Sequence, residues 1–108
     1  MFPTDAKLLQ RARERLVKLA KKHGIRLRQT YVRVGKFALI KHQRYAHAKQ
    51  FGRAKRSLRT LKTYLRRTLR DIERKIRGRA DLNAILRPEL FNAGRVLAQK
   101  QWQRGRKL

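Results

Sequence analysis

Paired carboxylates are what a metal-assisted or general acid–base reaction needs, and in this chain only Asp71 and Glu73 stand close together. Two residues apart on a helix point about 200° away from each other, so the pair cannot share a magnesium ion unless the helix breaks there. The other acids, Asp5, Glu14, Asp81 and Glu89, are scattered along the chain. Most have a local use: Asp5 and Asp81 suit helix starts, while Glu14 to Lys18, Asp71 to Lys75 and Glu73 to Arg77 have the four-residue spacing of helical ion pairs. His42 and His47 are five apart rather than the four that aligns two imidazoles, and no cysteine exists to complete a metal site with them. They read as helix-surface or seam residues able to gain charge beside a phosphate. Neither a phosphate-cradling glycine loop nor a serine–histidine–acid set can be assembled. No catalytic or metal site is therefore assigned. Tyr45, Tyr64 and Trp102 could stack on bases, although aromatics on an apolar stripe are more often core.

The remaining chemistry belongs to cations. Against 6 Asp and Glu stand 32 Lys and Arg, a formal net charge of +26 in 108 residues. Such a chain repels itself, so a polyanion, salt or an acidic region of a larger protein must help it to fold tightly. Nucleic acid is the first partner to consider. A membrane surface fits less well, because the aromatics do not gather on one apolar face. The longest apolar run, Phe37 to Ile40, is far below the roughly 20 residues of a membrane span, and MFPTDAKL has no signal-peptide pattern, so a soluble protein is expected. The absence of cysteine suits a reducing cytoplasm.

The elements that must carry these cations are helical. Apolar residues recur at three and four between sparse glycines and prolines, which predicts an all-α fold of long amphipathic helices, arranged as a helical hairpin or three-helix bundle. The chain reads as one unit. The first helix, about 4–23, starts with Thr4 as N-cap, follows the stripe Leu8, Leu9, Ala12, Leu16, Leu19 and Ala20, and stops at Gly24. A second segment, 30–77, contains no proline and would extend for roughly 70 Å if unbroken; bends are expected near Gly35 and Gly52. Tyr31 to Val34 alternates as a short strand would. A third helix, 81–102, starts on an Asp81 cap, carries the stripe Leu82, Ile85, Leu86, Leu90, Ala93 and Leu97, and is bent or restarted at Pro88. Residues 103–108 read as a frayed tail.

From Ala54 onward a heptad frame fits. With Leu58, Leu65 and Ile72 at position a, Ala54 and Leu61 fall at d, and Leu69 and Ile76 at e. The outward positions then hold Arg53, Arg56, Arg59, Arg66, Arg67, Arg70, Arg74 and Arg77, while Lys55, Lys62 and Lys75 sit nearer the seam. Guanidinium groups bind phosphate through two parallel N–H bonds, so a rigid row of them suits a sugar–phosphate backbone. Such a row carries affinity without sequence specificity.

Three stretches resemble a known family: FPTDAKLLQRARERLVKLAKKHGI from Phe2, LRQTYVRVGKFALIKHQRYAHAKQFGRAKRSLRTLKTYL from Leu27 and RRTLRDIERKIRG from Arg66. Together they are similar to the region between the first and second catalytic aspartates of DDE-type transposases in the bacterial insertion-sequence family numbered five. The run KHQRYAHAKQF from Lys41 to Phe51 is the most specific of them. The resemblance implies a helical segment in or beside an RNase H-like catalytic domain, holding transposon-end or target DNA in the cytoplasm, at the nucleoid. The family's catalytic aspartates match no residue here, and the divalent metal, expected to be magnesium, belongs to the full-length parent. Met1 stands where the family would continue upstream, which implies an excised piece or a reading frame begun at an internal methionine. Three readings compete: a DNA-binding transposase segment, a small basic RNA-binding or ribosome-associated protein, and a structural element whose basic face docks on the rest of the transposase.

Overall fold

Leucine and alanine at three- and four-residue spacing give helices one apolar stripe each, and the stripes bury only by packing together. The computed structural model describes residues 3–98, with side chains from residue 6 onward. They form α1 (Pro3–Lys22), α2 (Val32–His47), α3 (Phe51–Lys75) and α4 (Ala80–Ala98), with no strand among the described residues. The all-α expectation holds, with four helices in place of two or three. Helix α3 packs on all three others, α1 packs on α2, α3 and α4, and α2 and α4 do not touch each other. The result is a slab of 45 × 34 × 16 Å.

Its core is built from the expected stripes: Leu9, Ala12, Leu16 and Ala20 of α1, Leu58, Leu61, Leu65 and Ile72 of α3, Ile76 just beyond it, and Leu82, Leu86, Leu90 and Ala93 of α4. Ala6, Ala12, Ala20, Ala54 and Ala93 are almost wholly buried, so small residues let the backbones approach closely. Leu8 and Ile85, placed on stripes by spacing, face outward instead.

Several boundaries differ from the sequence reading. Helix α1 begins at Pro3, whose fixed φ and missing N–H suit a first helical position, so Thr4 lies inside it and is no cap. Gly24 does end α1: at φ 71° it lets its own N–H reach Lys21 O at 3.2 Å and the Ile25 N–H reach Ala20 O at 2.8 Å. The long middle segment is two helices. The break comes at 48–50, where Lys49 adopts φ 60° and the Gln50 N–H returns to Tyr45 O at 2.7 Å, closing α2 with the same motif on a non-glycine residue. Gly52 then lies inside α3 rather than at a bend.

Tyr31 to Val34 is no strand. Tyr31 takes φ 57° and α2 starts at Val32. Such a backbone persists in a non-glycine residue only when its surroundings hold it; here the Tyr31 ring is stacked on Tyr64 of α3 at 4.6 Å and 17°. Helix α3 ends at Lys75, two residues early, and Arg79, not Asp81, caps α4, accepting from the Asn83 N–H at 2.9 Å. Asp81 lies in the first turn, 3.7 Å from Arg79 Nε. Helix α4 continues through Pro88 without a restart. The expected end of that helix beyond Ala98, the frayed tail and Trp102 lie outside the described residues.

Candidate nucleic-acid interface

Which arginines reach solvent depends on where the apolar stripe of α3 turns. With Leu58, Leu61, Leu65 and Ile72 buried in the core, the opposite face must project outward, and all the arginines assigned to it are exposed: Arg53, Arg56, Arg59, Arg66, Arg67, Arg70, Arg74 and Arg77. Arg77 sits in the turn after the helix, so it extends the row without belonging to α3. Lys62 is half-buried, as a seam position should be, whereas Lys55 is exposed. From Arg59 to Arg74 the helical part of the row covers about 22 Å, the rise of about six to seven base pairs of duplex.

The row is not uniform. Near the start of α3, Arg53 and Arg56 border a groove of about 540 Å³ against α2, which Phe37, Lys41, Tyr45 and Tyr64 also line. Arg53 lies over the Tyr45 ring, 5.9 Å from its centre. Near the end of α3, Arg67, Arg70 and Arg74 meet Arg28 and Tyr31 of the α1–α2 connector around a cleft of about 200 Å³. Arg28, Tyr31 and Lys41 were not among the residues assigned from sequence. Arg28 and Tyr31 come from an aperiodic connector, so no spacing pattern could align them with α3.

Of the five described carboxylates, Glu14, Asp71, Glu73 and Asp81 meet a partner within the fold. Asp71 is buried beside the cleft, where its Oδ2 accepts the Arg28 N–H at 2.7 Å and its Oδ1 lies 2.5 Å from Arg74 and 3.5 Å from Lys75. Burial opposes its charge, yet the Arg28 N–H, Lys75 and Arg74 together hold its carboxyl below the ordinary carboxylate range. Lys75 also donates to Arg26 O, so Asp71 and Lys75 together tie the connector to α3. Glu73 turns to Arg87 of α4 at 3.9 Å rather than to Arg77, and Glu14 accepts from Gln10 at 3.2 Å. Among the described residues no three metal-ligating side chains gather.

Two basic residues are internal. His42 is fully buried, with Nδ1 2.9 Å from Ala54 O, so Nδ1 donates and the ring braces α2 against α3. It is therefore no surface partner for phosphate, while His47 is exposed. Arg13 of α1 is 2% exposed and donates to Thr30 O at 2.5 Å. Burial lowers its pKa, opposed by Glu14 and Tyr64. Gly35 makes room for it: a Cβ there would stand 2.6 Å from Arg13 Nη2, so the glycine expected at a bend is instead a close-approach point inside α2.

Over 49 residues the chain is 55% identical to an uncharacterized protein of Rhizobium meliloti, ORF8 in the nfe locus; the match covers 45% of this chain and 24% of that protein. No family model matches, and no solved structure matches. No described helix is long and apolar enough to cross a membrane.

Proposed function

We propose that this chain binds DNA through the outer arginines of α3 as a helical part of a bacterial insertion-sequence transposase, and that strand cleavage belongs to other parts of the parent protein. One observation carries the reading: a continuous helix turns its arginines outward along a single face, and of that row only Arg74 meets a carboxylate, Asp71, while Glu73 turns to Arg87 of α4. Positive charge on that face is thus left for an external polyanion. Sequence similarity to the region between two catalytic aspartates supplies the transposase assignment, with action on transposon ends or target in the cytoplasm, at the nucleoid. Any divalent metal would serve the parent's aspartates.

Affinity from such a row comes mainly from counterion release. Replacing Arg59, Arg66, Arg67 and Arg70 by Gln is expected to flatten the dependence of duplex binding on salt, by roughly 0.9 in log K per decade for each phosphate no longer neutralised. Fluorescence anisotropy with labelled duplex over a salt series measures that slope. An unchanged slope would place the interface elsewhere.

A further inference from the structure

The groove between α2 and α3 does not look like a surface for a phosphate backbone alone. Phe37 is 58% exposed although large and apolar, and it lines the groove together with Tyr45 and Tyr64. Lys41 lies between Phe37 and Tyr45 at four-residue spacing, so α2 presents ring, cation, ring at intervals of about 6 Å. Across the groove, Arg53 and Arg56 supply the cations of α3.

Two of the three rings have a defined neighbour. Tyr64 is stacked on Tyr31, which lines the neighbouring arginine cleft, so this pair forms the wall between the two depressions. Tyr45 is held against the Arg53 guanidinium. An apolar helix laid into the groove would bury Lys41, Arg53 and Arg56 without counter-charges, at a large desolvation cost. A nucleotide strand satisfies both halves of the lining, because its bases have faces for the rings and its phosphates pair with the cations. A volume of about 540 Å³ also lies within the range of small-molecule sites.

We propose that the α2–α3 groove receives unpaired bases of a single-stranded nucleic acid, stacked on Phe37 and Tyr45, with the adjoining phosphates on Lys41, Arg53 and Arg56. This rests on the chain binding nucleic acid, and it adds a second mode to the duplex binding along α3. The outer arginines read charge, whereas the groove reads exposed bases. A strand leaving a duplex on the α3 face can enter the groove at Arg53 and Arg56, which belong to both surfaces.

The test uses the full chain and fluorescence anisotropy with labelled probes of equal length at one salt concentration: oligo-dT, oligo-U, an abasic strand with the same phosphates, and a duplex. Wild-type protein is expected to bind oligo-dT or oligo-U about tenfold or more tighter than the abasic strand, the advantage a stacked base brings. Phe37→Leu and Tyr45→Leu keep apolar bulk but remove the ring, and each should shrink that advantage while leaving duplex affinity in place. Should Tyr45→Leu lose helicity by circular dichroism, Phe37→Leu, at an exposed position, decides alone. Equal wild-type binding of the base-bearing and abasic strands overturns the groove proposal, as does an advantage that survives Phe37→Leu. Retained duplex binding in those cases leaves the α3 interface standing, whereas no binding to any probe sinks both.

Discussion

Arginine is put to opposite uses in two regions of this molecule. On the outer face of α3, Arg59, Arg66 and Arg70 are exposed. In the seam between α1 and α2, Arg13 is sealed from water, reaches one carbonyl, at Thr30, and leaves Nε without a partner. The first set costs the fold only mutual repulsion and is free to meet an outside anion. The second bears a desolvation cost that burial of its aliphatic stem and the Thr30 bond must offset. Residue type therefore says little about role here. Position relative to the apolar stripe decides it, and the 23–31 connector joins both regions, since Thr30 holds Arg13 while the Arg28 N–H holds Asp71.

The largest effect expected is on binding. With Arg59, Arg66, Arg67 and Arg70 all changed to Gln, the removal of four phosphate partners amounts to about a thousandfold or more in duplex affinity at 0.1 M salt relative to the 1 M limit. Thermal stability should hold or rise, because mutual repulsion is relieved. A drop in stability with affinity intact would reverse the assigned roles of the two regions.

Next in size is Asp71, which ties the connector to α3. Asp71→Asn should destabilise the chain by about 1.5–3 kcal/mol at neutral pH, the usual worth of hydrogen bonds to a charged group. The folded carboxyl titrates below its unfolded value, so its contribution is complete above about pH 4 and is lost as pH falls through the lower folded pKa. Urea denaturation of both proteins across pH 2–7 measures this, and the two stabilities should converge at the acid end. A gap that persists at low pH would mean that the carboxylate charge is not what anchors the connector.

Much of the fold was legible because leucines and isoleucines at helical spacing leave little choice of face. The α3 stripe and its outward arginines follow from that period alone. The breaks were harder to read. Lys49 closes α2 in a conformation usually left to glycine, so the nearby Gly52 drew the expected bend three residues too far along. Gly35 suggested flexibility, yet its role is steric and depends on a side chain from another helix, which local spacing cannot reveal. The same holds for the site: Arg53 and Tyr45 were visible as residue types, but a groove requires knowing that α2 folds back beside α3. His42 read as either a surface or a seam residue, and what decides for the seam is a backbone carbonyl, Ala54 O, that carries no sequence signal.

A smaller effect tests the buried arginine directly. Gly35→Ala adds a methyl group where Arg13 Nη2 would be 2.6 Å away, so the guanidinium must shift, against the pull of its Nη1 bond to Thr30 O. Overpacking of this kind costs about 1–3 kcal/mol, set against the roughly 1 kcal/mol by which alanine favours a helix over glycine. The net change in wild type should be a loss of about 1 kcal/mol, measured by urea denaturation. In an Arg13→Met background the flexible thioether can yield, so Gly35→Ala should become neutral or stabilising. An equal loss in both backgrounds would mean that the glycine is needed for some reason other than Arg13.

The smallest effect closes the comparison from the exposed side. Arg59→Gln alone should change stability by no more than about 0.5 kcal/mol, since the Arg59 side chain is exposed and forms no ion pair among the described residues. Its effect on duplex affinity should exceed its effect on stability at low salt and fade as salt rises, because attraction to a phosphate is screened by salt and packing against the fold is not. Parallel denaturation and binding series at two ionic strengths separate the two. A salt-independent fall in both would mean that Arg59 packs against the fold rather than facing the polyanion.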